Sequence, residues 1–200
     1  RPSIADPFLP NKIRDGKIDE IRECIGCNIC VTGDMTMSIS RCTQNPSFME
    51  EWRKGWHPEN FQIKGESKSI LVIGSGPAGL EVTRCLSKRG YNVTLAEKDP
   101  FIGGRVTKER LLPGLSAWGR VVDYREGQIN KLKNVNIYLE SEITKKDILE
   151  FDFEHICFAT GSIWRRDGVG RVSLHPLEID SSMNVYTPDD IMSNIKKTDH

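Results

Sequence analysis

The stretch that most constrains this chain is KSILVIGSGPAGLEVTRCLSKRGYNVTLAEKD, residues 68–99. A short β-branched run closes on glycines, a segment with Leu80, Val82, Cys85 and Leu86 at helical spacing follows, and a second apolar run ends at Glu97. Strand, helix and strand in about thirty residues make a crossover unit, which requires two parallel strands. The loop Gly74, Ser75, Gly76, Pro77, Ala78 and Gly79 has the spacing G-x-G-x-x-G. Alone that spacing is weak. Between a strand and a helix, with an acidic residue 21 positions after Gly76, it reads as an adenine-dinucleotide loop. Gly74 permits the tight turn, Gly76 lets backbone approach a pyrophosphate, and Gly79 allows close packing of a helix whose N-terminus carries positive potential. Glu97, followed by Lys98, is expected to accept from ribose hydroxyls. Its charge repels a 2′-phosphate, which favours ADP, FAD or NAD over NADP.

The remainder extends the same α/β pattern. Residues 101–115 form a Gly/Pro-broken loop, 116–133 predict a helix, VNIYLES predicts a strand, Phe153 to Thr160 predict a buried strand, and 188–196 predict a short helix. Gly103, Gly104 and Arg105 follow Glu97, and Ala159, Thr160 and Gly161 close the later strand. In this order they resemble the FAD/NAD-linked reductase fold, where a Gly-Gly turn and an Ala-Thr-Gly strand end flank the dinucleotide. That resemblance places Gly104, Arg105, Ala159, Thr160 and Gly161 at the cofactor, with Arg105 in reach of a phosphate. The expected fold class is therefore α/β, a Rossmann-like FAD/NAD(P)-binding domain of the reductase type over residues 67–200.

Four of the six cysteines fall within residues 24–42. Cys24, Cys27 and Cys30 have the spacing C-x2-C-x2-C, and eleven residues intervene before Cys42. Three thiolates so spaced can wrap one corner-sharing cluster while the distant fourth closes it, so the four are predicted to ligate a [4Fe-4S] cluster. Structural zinc, which prefers two separated C-x2-C knuckles, and a redox dithiol are the alternatives. At Gly26 a side chain is expected to crowd amides that bond to cluster sulfurs. Cys85 and Cys157 lie in apolar elements and read as packing residues. Residues 21–66 hold too few apolar side chains to offset folding entropy and are expected to form a lobe ordered by metal. Residues 1–20 show no core of their own and look like the tail of a preceding domain. A chain opening at Arg1 and stopping after TPDDIMSNIKKTDH is expected to be an excerpt of a longer polypeptide.

Lys plus Arg equals Asp plus Glu at 28 each, which removes the whole-chain argument for nucleic acid or an anionic membrane as partner. No apolar run approaches the about 18 residues of a membrane span, and residues 1–20 lack the features of a signal peptide, so a cytoplasmic location is expected. No residue reads as an acid, base or nucleophile, and His57 and His155 read as structural.

Taken together, RPSIADPFLP, CIGCNIC, CTQN, EEWRKGWHPE, GSGPAGLE, EKDPFIGGR, LPGLSAWGRVVDYRE and ATGSIW resemble the trimethylamine and dimethylamine dehydrogenase group. That group belongs to a wider family of iron–sulfur flavoenzymes with the 2,4-dienoyl-CoA reductases, whose barrel is of the old yellow enzyme type. The resemblance implies three parts: a flavin-binding (β/α)8 TIM barrel, missing upstream, whose tail is residues 1–20; the cluster lobe over 21–66; and the dinucleotide domain. It implies that Arg1 contacts the phosphate of an FMN held mostly by that barrel. It further implies oxidation of a small methylated amine in the barrel, as an amine dehydrogenase or N-demethylase, and electrons passing through the cluster to electron-transfer flavoprotein or a similar acceptor. ADP or FAD would occupy the dinucleotide site, in a homo-oligomer, and these 200 residues alone would not turn over. The same parts run in the opposite direction in an NAD(P)H-dependent 2,4-dienoyl-CoA or enoate reductase, and a ferredoxin-like carrier without its own active site is a third reading.

Overall fold

A computed structural model describes residues 2–53, 61–66, 68–170 and 173–193 of the chain. Arg1 and His57, singled out above, lie outside the described residues, as do positions 194–196 of the expected last helix. The described residues form two compact units, one ending at Thr160 and one starting at Gly161.

The first unit opens with α1 (Pro2–Ala5), α2 (Leu9–Arg14) and a 3-10 turn at Ile18–Glu20. Buried Asp6 ties this segment together, accepting from Lys12 Nζ at 2.7 Å and from the Arg22 backbone N–H at 2.9 Å. The segment is also sewn to the residues just beyond Cys42, because Asn45 Nδ2 donates to the Ile4 carbonyl at 3.0 Å. Helix α3 (Ile29–Met35) then starts among the cysteines.

The glycine-loop unit forms as expected: β1 (Ser69–Ile73), α4 (Pro77–Lys88) and β2 (Asn92–Ala96). After it come α5 (Val106–Glu109), a 3-10 turn at Ser116–Gly119, α6 (Arg120–Ile129), β3 (Val135–Tyr138), α7 (Lys145–Glu150) and β4 (His155–Phe158). The four strands are all parallel, in the order β3-β2-β1-β4. In β1, Ile70 and Val72 face a cluster with Leu80, Leu95, Val121, Val122 and Ile129, whereas Leu71 and Ile73 face Ala96, Ile148 and Phe153. A central parallel strand covered on both faces must be apolar throughout, which is why SILVI shows no alternation. Each such side chain is worth about 1.5–3 kcal/mol relative to exposure. Ile25 and Cys27 of the cysteine segment join this core.

Several expectations need correction. The helix expected over 116–133 begins as a tighter 3-10 turn and stops at Ile129, and the loop 101–115 contains the single helical turn α5. The strand expected to be buried at 153–160 runs only from His155 to Phe158 and pairs with β1 alone among the described residues. Edge position leaves Phe158 68% exposed. Helix α7 was not foreseen, although Thr144 and Asp147 supply a capping box that fixes its start. On α4 the buried positions are Gly79, Leu80, Thr83, Arg84 and Ser87, so of the expected apolar stripe only Leu80 is fully buried.

In the second unit, α8 (Pro188–Met192) is likewise started by a capping box, Thr187 with Asp190, and Ser193 is its C-cap. Arg166 Nη2 meets Asp190 Oδ1 at 2.6 Å. No helix among the described residues is long and apolar enough to cross a membrane.

Candidate functional site

Chain order places β2 and β3 on one side of β1 and β4 on the other, so the sheet reverses direction of growth beside β1. Open parallel sheets bind ligands outside the carboxyl ends of strands at such a point. The expected dinucleotide residues gather there. Gly74 has φ +97°, and a Cβ on it would sit 2.5 Å from the Ala159 carbonyl oxygen, so the glycine loop and the Ala159-Thr160 strand end are in contact. A Cβ on Gly79 would lie 1.9 Å from the Gly74 oxygen, while one on Gly76 meets nothing within 4 Å. Space is therefore closed at the two structural glycines and open at the one expected to face a pyrophosphate. The Gly-Gly turn docks on the same loop: Gly103 N–H donates to the Ser75 carbonyl at 2.9 Å, and a Gly104 Cβ would come 3.1 Å from Gly76 Cα.

Glu97 is buried beneath this loop. Its Oε2 accepts from Ser75 N–H at 2.7 Å and Ser75 Oγ at 2.6 Å, and its Oε1 accepts from Asp99 N–H at 3.1 Å. Burial pushes its carboxyl upward, but these donors, Ser75 Oγ first, outweigh burial and hold it below its ordinary value. The carboxylate thus braces the glycine loop as well as standing where a ribose is expected. Lys98 is exposed, and Arg105 is half-buried at the start of α5. Thr160 ends the first unit, and Gly161, at φ +78°, opens the second.

Cys24, Cys27, Cys30 and Cys42 line one cavity of about 60 Å³, together with Gly26, Thr43 and Gln44. Gly26 and Asn28 both take left-handed backbone, at φ +69° and +57°, and curl the C-x2-C-x2-C segment around that space. A Cβ on Gly26 meets no protein atom within 4 Å, so the need for glycine is the backbone conformation and not the expected crowding. Backbone N–H groups already address the sulfurs: Gly26 to Cys24 Sγ and Gln44 to Cys42 Sγ, each at 3.4 Å. Thr43 Oγ1 lies 3.1 Å from Cys27 Sγ. Among the described residues no set of three or more His, Cys, Asp or Glu side chains gathers closely enough to hold a single metal ion. Four cysteines lining one cavity, three of them at C-x2-C-x2-C spacing, suit a multi-iron cluster that takes one thiolate per iron.

A buried ionic network links the two sites and was missed from the sequence. Glu81 on α4 accepts from Arg84 Nη2 at 2.6 Å and pairs with Arg125 Nε of α6 at 2.8 Å. Burial pushes the Glu81 carboxyl up, yet Arg84 and then Arg125 more than compensate and bring it down to about 2. Arg22, also buried, stacks over Tyr124 with 5.2 Å from guanidinium to ring centroid, and Arg84 lies 5.4 Å from the Phe61 ring centroid. Cys85 belongs to this network: its thiol donates to Glu81 Oε1 at 3.3 Å, and burial, followed by the Glu81 charge, pushes it up to about 12. At pH 8 Cys85 is thus held as the unreactive thiol. Native protein treated with iodoacetamide at that pH is therefore expected to leave Cys85 unmodified in peptide mass mapping, with alkylation appearing only in denaturant. Cys157, by contrast, packs against the apolar core as expected.

Comparison with known proteins bears on the whole chain. Residues 72–134 match the NAD(P)-binding Rossmann-like domain. The dimethylamine dehydrogenase of Hyphomicrobium sp. is 41% identical over 98% of the chain. The solved structure of histamine dehydrogenase from Rhizobium sp. 4-9 is 67% identical over 98% of the chain, with a TM-score of 0.92. Over these residues the chain is similar to the dimethylamine dehydrogenase-like proteins. It spans 28% of the length of that dimethylamine dehydrogenase and 29% of the histamine dehydrogenase chain. A more distant member of this dehydrogenase-like set of relatives, the cinnamate reductase of Clostridium sporogenes, is 29% identical over 98% of the chain and is covered to 27% of its own length.

Proposed function

We propose that this chain is the electron-relay and nucleotide-binding portion of a flavin-dependent oxidoreductase that oxidises an amine. Residues 1–20 are the tail of a flavin barrel that binds FMN, with Arg1 at its phosphate. Residues 21–66 hold a [4Fe-4S] cluster through Cys24, Cys27, Cys30 and Cys42, and residues 67–200 are the first part of a domain that holds ADP or FAD. When bound, the cluster supplies one-electron redox capacity between the flavin and an acceptor such as electron-transfer flavoprotein.

The observation that supports the reading is that all four predicted cluster cysteines line one cavity, in a chain that also packs its glycine loop against the Ala159 strand end and the Gly-Gly turn. This chain's own residues give the relay its properties. Gly26 and Gln44 N–H groups stabilise thiolate charge, and packing of Ile25 and Cys27 into the core fixes the cysteine loop. At the nucleotide, the open backbone at Gly76 admits the pyrophosphate, and Glu97 orients the loop through Ser75. The higher identity to the two amine dehydrogenases supports electron flow from amine to acceptor. The cinnamate reductase supports a second reading, NAD(P)H-driven reduction of an unsaturated acid or acyl substrate through FAD, cluster and FMN.

Anaerobic purification of the full-length protein, mass spectrometry of released ligands, and iron and sulfide assays separate the two. The amine reading expects about four irons with matching sulfide, as a [4Fe-4S] cluster requires, together with ADP and turnover on histamine or dimethylamine. Released FAD with NADPH-dependent activity favours the reductase, and zinc without iron overturns both.

A further inference from the structure

We propose that the side-chain amide of Gln44, oriented by Arg125, donates a hydrogen bond to a sulfur of the iron–sulfur cluster and so raises its reduction potential. The inference rests on the cluster assignment made above and assigns a new role to two residues outside the four cysteines.

Gln44 is 1% exposed and lines the cysteine cavity, and its backbone N–H already points to Cys42 Sγ. Its Oε1 accepts from Arg125 Nη1 at 3.3 Å. Arg125 is held in turn by its ion pair with Glu81 and by a 2.9 Å bond from Nη1 to the Val121 carbonyl. A guanidinium carries donors only, so the amide must present its oxygen to Arg125 and its NH2 group elsewhere. That nitrogen is buried and has no hydrogen-bond partner among the described residues. Buried donors of native proteins are paired, and an orphan calls for a missing acceptor. In a cavity walled by four cysteines the acceptor of matching chemistry is a thiolate or inorganic sulfide.

The direction of the effect follows from charge. One electron added to the cluster, with no bond broken, makes its sulfurs more negative and strengthens any N–H donor aimed at them. Such donors favour the reduced form. The positive charge of Arg125 behind the amide acts in the same sense.

The test uses full-length protein whose iron, sulfide and visible spectrum first establish the cluster. Gln44→Leu keeps the volume and removes the donor. Potentiometric titration with a chemical reductant is expected to show the cluster midpoint lowered by an about tenfold change in the one-electron equilibrium, about 59 mV. A fully loaded variant with an unchanged midpoint overturns the inference. Should the variant fail to retain its cluster, pulsed EPR of the reduced wild-type protein, labelled with 15N only in glutamine side-chain amides, decides. A 15N coupling supports the bond, and its absence overturns it. A wild-type protein without iron and sulfide removes the cluster assignment itself, an outcome read before either measurement on Gln44.

Discussion

Replacing Cys42 by alanine is expected to leave full-length protein with less than about a tenth of its iron and acid-labile sulfide and to lower its melting temperature by about 5 °C or more. Cys24 and Cys27 sit in one tight loop and Cys30 in the first turn of α3, whereas Cys42 reaches the cavity from beyond α3. In the proposed cluster it would be the ligand that closes the segment between them, and its loss would remove both an iron site and the cross-link of the lobe. The lobe cannot easily compensate, because Ile25 is the one buried large hydrophobe among its described residues and two left-handed residues hold its loop. Iron and sulfide analysis beside a thermal melt makes the measurement, with Cys157→Ala as the comparison that keeps its metal. Full iron content in the Cys42 variant would remove that residue from the ligand set.

Glu81→Gln is expected to cost about 3–5 kcal/mol, the range for breaking a buried ion pair by removing one partner. Arg84 is fully buried and Arg125 nearly so, and both lose the carboxylate that faces them. The pH dependence has a definite sign. The folded carboxyl titrates at about 2 against an ordinary 4.5, so its contribution is complete above the ordinary value and is lost as pH falls from about 5 towards 2. A shift of that size corresponds to on the order of 3 kcal/mol. Urea denaturation of wild-type protein at pH 7 and pH 3 should show the loss. The variant, already without it, should change less between the two pH values.

How much of this was legible in the sequence depended on whether the partners were near in the chain. The crossover unit from Ser69 to Ala96 is local: strand run, glycine spacing and helix start each announce themselves, and the structure assembles them as expected. The Gly-Gly turn and the Ala159 strand end were placed beside the loop by resemblance, and Gly74 and Gly76 meet both. The Glu81 network was invisible because it joins residues 22, 81, 84, 125 and 44 across four segments. A charged helix position reads as solvated unless its partners are known. One signal was available: Thr83, Arg84 and Ser87 share the buried side of α4 with Leu80, at a spacing that puts polar residues on an interior stripe. Strand β4 was misjudged because an apolar run marks contact with something, and an edge strand has a sheet neighbour on one side only.

Several cross-connections tie the cysteine segment and the tail before it to the nucleotide-binding core: Ile25 and Cys27 in the apolar cluster, Arg125 to Gln44, Arg120 to the Cys24 carbonyl, and, from the tail, Asp19 to Lys131. Modular boundaries drawn on function alone would cut through them. A gene trimmed at residue 67 would thus expose the apolar surface that Ile25 and Cys27 cover and take away the Gln44 partner of Arg125 and the Glu23 and Cys24 partners of Arg120, giving an insoluble product instead of a free-standing nucleotide-binding protein. Hydrogen exchange should accordingly find α6 and the cysteine loop opening in one event, so metal loss would be sensed at the helix that flanks the nucleotide cradle. The cysteine segment and the nucleotide-binding core are in that sense inherited together, as one cooperative folding unit.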